Sequence, residues 1–250
     1  MKVDKVILKN LDALEKDIRS ATDRTFYLIM GSDRYQCGLA VNCIKTASLS
    51  PEGMAFDSST FSAKETSSEK IFETASTFPM VSKRRIVIVT EFEKLAEREH
   101  EKFLGSLDLL PKKSLMVLVA EELDRRKKLY KTIRDKGCIV EFPQLKGAAL
   151  RHWVEMFARK RGYNITSSTA GEISDLAGSD LQALTGEMEK LFLFAGKEKE
   201  ISDEAVDKLV RNSRQHGIFE LIDAVARGTG PPLLYRWRIS WQWENIRLKS

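Results

Sequence analysis

Two groups of residues have the types and spacing that nucleotide chemistry could use. The apolar run Phe26–Met30 leads into Gly31-Ser32-Asp33, where a phosphate-binding loop would join a strand to a helix. Glu121 and Glu122 follow a second apolar run, and such a pair could hold Mg²⁺ and orient a water. However, Arg34-Tyr35-Gln36 stands where the loop pattern needs a second glycine, a lysine and a hydroxyl. We therefore expect no ATP hydrolysis here and interpret the glutamates as a solvated strand end.

A third group of residues could bind a partner instead. Ile71, Phe72, Ala75 and Phe78 have the spacing of an amphipathic helix, which Pro79 must interrupt. The four residues from Ile86 to Val89 are β-branched and apolar, as in a strand buried on both faces. Residues 77–82, called the bend below, lie between that helix and that strand.

The bend permits two interpretations. In one, Phe78, Met80 and Val81 are ordinary core residues beneath a helix-to-strand turn, which their types favour. In the other, Met80 and Val81 form an exposed apolar wedge for a partner's pocket. Phe78 and Pro79 would then shape the wedge, and a basic run would supply charge at its rim: Lys83, Arg84 and Arg85. The sequence does not separate the two.

Composition limits the class of protein. The 250 residues are 42% hydrophobic and 31% charged, which is typical of a globular protein. The net charge is +5, but +3 of it lies after residue 227, so the rest of the chain predicts no dominant basic face for nucleic acid. The three cysteines lack CxxC spacing and the three histidines stand far apart, so we expect no metal site and no cofactor. No signal or membrane-spanning segment is evident, and we expect a cytoplasmic protein with no membrane partner.

The order of apolar runs predicts an α/β domain followed by an all-α part. Strands alternate with helices up to Phe142, which favours a parallel sheet covered by helices on both faces. Pro143 marks a change, and no strand pattern appears from Leu145 onward. Four helices are predicted there, each with a glycine end or a serine cap. They span 148–161, 168–177, 181–194 and 203–210.

Several segments, in this order and spacing, resemble the delta subunit family of bacterial DNA polymerase III clamp loaders. No single segment is specific, and they extend over residues 26 to 227. They are 26–33, 77–89, Leu123-Asp124-Arg125-Arg126-Lys127-Lys128-Leu129, 180–184, 187–191, 201–206 and Ile218-Phe219-Glu220-Leu221-Ile222-Asp223-Ala224.

The resemblance implies an AAA+-like parallel-sheet domain without a working P-loop over 1–143. A small helical lid domain over 144–211 and the start of a helical collar domain over 212–250 would follow. In that family the delta subunit performs no catalysis of its own. It binds the sliding clamp and opens its ring through two apolar residues, a large aliphatic one and then phenylalanine, at the positions of Met80 and Val81. Val81 is smaller than that pattern, so Phe78 would contribute more.

The resemblance also implies partners. These are the sliding clamp (beta subunit), the gamma/tau and delta-prime subunits of the loader, and primed DNA within the complex. Two alternatives from other classes stay open at this stage. One is a nucleotide-dependent AAA+ enzyme using Gly31–Asp33 with Glu121 and Glu122. The other is a nucleic-acid-binding module using the basic runs Lys83–Arg85 and Arg125–Lys128.

The tail from about residue 228 departs from the family. Three of the four tryptophans lie in the last fourteen residues, where no helical periodicity is seen. Reading Trp241-Gln242-Trp243-Glu244 one base earlier forces alanine, methionine or valine, glycine, and glutamate or lysine. This is compatible with a Gly-Glu segment of the collar. We therefore interpret the tail as out-of-frame sequence, and assembly of the loader would then be impaired by the missing collar. An aromatic and arginine segment that stacks on single-stranded DNA is the alternative.

Overall fold

The computed structural model describes residues 6–8, 11–20 and 24–211. The predicted collar segment and tail lie outside the described residues. Within them the chain divides into two compact units, between Leu145 and Lys146. None of the described helices has the length and apolar character needed to cross a bilayer.

The first unit is a six-stranded sheet with helices on both faces. Its strands are β1 (Val6–Leu8), β2 (Phe26–Met30), β3 (Ser58–Ser62), β4 (Arg85–Thr90), β5 (Ser114–Ala120) and β6 (Cys138–Glu141). Its helices are α1 (Leu11–Ser20), α2 (Arg34–Ser48), α3 (Gly53–Phe56), α4 (Ser68–Ser76), α5 (Glu97–Leu107) and α6 (Lys128–Lys136), with a 3₁₀ turn at Phe92–Lys94. The strand order is β1-β6-β2-β5-β4-β3, and every pairing is parallel.

The central strands are continuous apolar runs because both faces of the sheet are covered. One core lies between the sheet and α4, α5 and α6. The other lies between the sheet and α1 and α2. Ile86 to Val89 are buried, as predicted, with at most 3% of each residue exposed. In contrast, β3 is an edge strand of serine, threonine and phenylalanine that is only partly buried.

Local signals in the sequence fix several helix ends. The Asp33 carboxylate accepts the backbone N–H of Gln36 at 3.0 Å and caps α2. The Ser67 hydroxyl caps α4 by accepting the backbone N–H of Lys70. The apolar residues from Leu95 to Leu107 have helical spacing, but Leu95 and Ala96 are non-helical and α5 begins at Glu97. Leu95 is instead buried in the core at the end of the 3₁₀ turn.

The second unit is mostly helical. Its helices are α7 (Gly147–Lys160), α8 (Ser167–Ala177), α9 (Leu181–Ala195) and α10 (Asp203–Val206), which continues as a π-helical turn at Asp207–Arg211. Contrary to the prediction of no strands here, β7 (Asn164–Ile165) pairs in parallel with β8 (Glu200–Ile201). Two-residue strands are too short to show alternation, so periodicity could not reveal them. The fold class predicted from the sequence, a parallel α/β sheet followed by a helical part, is confirmed by this architecture.

Candidate functional site

The bend is exposed, and its exposure excludes the interpretation as core. Phe78 is 78% exposed, Met80 76% and Val81 52%. Inward-facing residues of the preceding helix, Ile71 and Ala75, are at most 1% exposed. The helix α4 therefore covers the sheet, while the segment after it turns its apolar side chains to solvent.

The end of α4 is fixed to the sheet before the bend begins. The Ser114 hydroxyl, at the start of β5, donates a hydrogen bond of 2.5 Å to the backbone carbonyl of Ala75. Thr77 donates both its backbone N–H and its hydroxyl to the carbonyl of Thr74. These bonds satisfy carbonyls that a helix end leaves without a partner. Pro79 then prevents the helix from continuing.

A buried carboxylate holds the backbone of the bend. Asp57, between α3 and β3, is 0% exposed and accepts three successive backbone N–H groups. Its Oδ1 accepts from Met80 at 2.5 Å, and its Oδ2 accepts from Val81 at 2.9 Å and from Ser82 at 2.5 Å. Three charge-assisted bonds to consecutive amides define the local backbone path. Met80 and Val81 are thus presented on a backbone that is fixed before any partner arrives.

A second contact positions the end of the bend. The Ser82 hydroxyl accepts the backbone N–H of Ser50 at 3.2 Å, and Ser50 in turn accepts the N–H of Gly53. A Cβ on Gly53 would lie 1.7 Å from the Ser82 hydroxyl, so this approach requires glycine. Neither Asp57 nor this contact could be found from the sequence, because a polar residue near a turn gives no sign of a partner 23 to 32 residues away.

The basic run after the bend has two different environments. Lys83 is exposed. Arg84 and Arg85 are partly buried, and their guanidinium groups bond within the unit. Arg84 donates to the backbone carbonyls of Arg24 and Ser114, and Arg85 donates to the Ser59 hydroxyl at 3.2 Å. Within the predicted trio, Lys83 is the residue whose charge is presented to solvent.

The hydrogen bonds to Asp57 predict a specific pH dependence of stability. Burial would raise the pKa of this carboxyl, but the N–H groups of Ser82, Met80 and Val81 lower it from 3.8 to about 2. A group with a lowered pKa stabilises the fold above its unfolded-state value and loses that contribution as pH falls through the folded value. We expect the stability advantage of the wild type over an Asp57→Asn variant to shrink between pH 4 and pH 2. Denaturant titrations at several pH values measure it, and a constant difference would contradict the assignment.

The position of the missing phosphate loop is filled by protein. The N–H of Gly31 donates to the Ala120 carbonyl at 3.1 Å, and a Cβ on Gly31 would lie 2.0 Å from the Phe142 carbonyl oxygen. Both oxygens of Asp33 bond to Gln36. A carbonyl oxygen and a carboxylate repel phosphate, so the geometry opposes a nucleotide here.

The other candidate groups are a solvent-exposed glutamate pair and an ion-paired basic run. Glu121 and Glu122 are exposed beyond β5, and no cluster of potential metal ligands occurs among the described residues. The basic run at α6 forms ion pairs with acidic neighbours. They are Arg125–Glu141, Arg126–Asp124, Lys127–Glu97 and Lys128–Glu101. These pairs offset the positive charge that a nucleic-acid interface would use.

Comparisons with known proteins identify the relatives of this chain. The family model described as DNA polymerase III, delta subunit, matches residues 27–143, which include the bend. The DNA polymerase III subunit delta of Bacillus subtilis (strain 168) is 26% identical over 220 residues, covering 84% of this chain. This chain spans 63% of the length of that relative.

A solved structure shows the same fold. The Bacillus subtilis DNA clamp loader delta protein (YqeN) matches with a TM-score of 0.68 and 24% identity, over 93% of this chain and 72% of that one. The resemblance inferred from the sequence is therefore confirmed: residues 27–143 of this chain match the DNA polymerase III delta subunit family, and the fold matches that of a clamp loader delta protein.

Proposed function

We propose that this chain acts as a clamp-loader delta subunit of the DNA polymerase III holoenzyme. In this role it binds the sliding clamp through the bend and opens the clamp ring for loading onto primed DNA. Phe78, Pro79, Met80 and Val81 would make the contact, and Lys83 would assist by charge. Gamma/tau and delta-prime subunits are the other partners that the family implies.

One observation carries the proposal: an exposed apolar pair stands on a backbone that is already held in place. Met80 and Val81 face solvent, while Asp57 binds the amides of both residues. Exposed apolar side chains on a rigid support are typical of an interface anchor, since little conformational entropy is lost on binding. The match to the delta family, which covers this segment, supports a clamp as the partner.

The chain would act mechanically, without a chemical step of its own. The Gly31 N–H, a group that a phosphate-binding loop would offer to phosphate, is already bonded to the Ala120 carbonyl, which supports a subunit that does not hydrolyse ATP. Ring opening would then be driven by the free energy of binding alone. A ligand shifts an equilibrium toward the state it binds better, so the chain must bind the open ring more tightly than the closed ring.

A clamp-release assay tests the proposal. Sliding clamp from the same organism is loaded onto a nicked circular DNA, the purified chain is added without nucleotide, and gel filtration follows the clamp. We expect stoichiometric binding and release of the clamp from the circle. Binding without release would contradict ring opening, and no binding at micromolar concentrations would overturn the proposal as a whole.

A further inference from the structure

Three loops of the α/β unit lie side by side at the end of the sheet where β3, β4 and β5 begin, which we call the amino edge. The strands β3, β4 and β5 are adjacent and parallel, so their amino ends meet at that edge. The loop into β3 follows α3, the loop into β4 contains the bend, and the loop into β5 spans residues 108–113. The bend is therefore the middle one of three neighbouring loops.

The two flanking loops also expose apolar side chains. Phe56, the last residue of α3, is 58% exposed, and Leu109 is 79% exposed. In the described part of the α/β unit, the exposed large apolar residues at this edge are Phe56, Phe78, Met80, Val81 and Leu109. A sixth, Leu39, lies on α2 and is 36% exposed. Exposed apolar residues that collect at one place mark an interaction surface.

Contacts between the loops hold them together. Asp57 follows Phe56 directly and binds the amides of the bend. On the other side, the Lys113 ammonium lies 5.9 Å from the centre of the Phe78 ring, and the Lys113 carbonyl accepts the N–H of Arg85 at 2.8 Å. The three loops therefore form one supported surface, which we call the amino-edge surface: residues 56, 78–83, 109, 112 and 113.

We infer that Phe56 and Leu109 make a second apolar contact with the sliding clamp, beside that of Met80 and Val81. This inference rests on the proposed function. Stable, specific interfaces bury about 800 Å² on each partner and involve about 20 to 30 residues a side, which two side chains cannot supply. A clamp seated on the bend must cover neighbouring loops, and the apolar residues available there are Phe56 and Leu109.

The positive charge of the amino-edge surface indicates which side chains should border the contact area on the clamp. Lys83, Lys112 and Lys113 are exposed around the apolar residues. The matching clamp surface is thus an apolar area bordered by acidic side chains. Rim charges act chiefly on the association rate and its salt dependence.

Affinity measurements on matched variants test the inference. The Phe56→Ala/Leu109→Ala variant is titrated against the clamp beside wild type, Met80→Ala/Val81→Ala and a Leu39→Ala control. We expect the dissociation constant of the Phe56/Leu109 variant to rise about tenfold and that of the control to stay within about twofold. Lys112→Gln/Lys113→Gln should slow association at low salt and flatten its salt dependence. Thermal melting checks that each variant is folded. If Phe56→Ala unfolds the protein, the single Leu109→Ala variant, which lies in a loop outside the helices, replaces the double variant in the titration.

The outcomes separate this inference from the proposed function. If Met80→Ala/Val81→Ala loses binding and Phe56→Ala/Leu109→Ala does not, the second contact is overturned and the proposed function stands. If neither double variant changes affinity, both are overturned. An equal loss with the Leu39→Ala control would overturn the second contact as well, because the effect would then not belong to the amino edge.

Discussion

Replacing Met80 and Val81 together by alanine should weaken clamp binding by about 100-fold and leave the fold intact. Full burial of an aliphatic side chain contributes about 1.5 to 3 kcal/mol of binding free energy, and truncation of Met80 and Val81 to alanine removes most of this contribution. A combined loss of about 3 kcal/mol corresponds to about two orders of magnitude in the dissociation constant. Both side chains face solvent, so the free energy of unfolding should change by less than about 0.5 kcal/mol. Surface plasmon resonance and denaturant titration measure the two quantities.

The chain offers a closely matched control for this experiment. Leu193 and Phe194 are also consecutive apolar residues, 84% and 56% exposed, in the last turn of α9 in the second unit. Leu193→Ala/Phe194→Ala removes a similar exposed apolar surface from the other unit and should not change clamp affinity. Conversely, Val81→Phe restores the larger residue of the family pattern and should tighten binding. Equal weakening by both double variants would indicate a general effect of surface hydrophobicity and contradict a specific site.

Much of the α/β fold could be predicted from the sequence because its signals are local. The runs Ile86–Val89 and Leu115–Ala120 are continuous and apolar, as strands covered on both faces must be, and both are buried strands. Asp33 stands directly before a helical pattern and caps it. Strands of two residues, such as β7 and β8, give no comparable signal, and only the packed unit reveals them.

The candidate site could be located from the sequence but not understood from it. Residue types at Phe78, Met80 and Val81 favour core and permit a wedge, and tertiary contacts decide between them. The deciding group is Asp57, whose role depends on amides 23 to 25 residues away. No periodicity links them, so the support of the bend is visible only in three dimensions.

Removing the charge of Asp57 should weaken clamp binding without altering any residue proposed to contact the clamp. In Asp57→Asn, an amide replaces the carboxylate; its NH₂ group cannot accept an N–H, and one of the two oxygens that hold Met80, Val81 and Ser82 is lost. Buried amides left without an acceptor destabilise the folded bend, so other conformations of residues 80–82 become populated. The apparent affinity is the intrinsic affinity multiplied by the fraction of molecules that retain the competent conformation. We expect the dissociation constant to rise about tenfold and the melting temperature to fall by roughly 5 to 10 °C.

Binding kinetics distinguish the loss of affinity in Asp57→Asn from the loss caused by truncating a residue proposed to contact the clamp. If Asp57 acts by holding the bend, Asp57→Asn should chiefly lower the association rate, because fewer molecules are competent at encounter, whereas Met80→Ala should chiefly raise the dissociation rate. Glu93→Gln is the matched control. The Glu93 carboxylate also accepts a backbone N–H, that of Glu121 at 3.1 Å, and the substitution removes the same charge at the opposite end of the sheet. Its affinity for the clamp should equal that of the wild type. An Asp57→Asn protein that melts lower but binds the clamp with unchanged rates would show that the bend does not need its support.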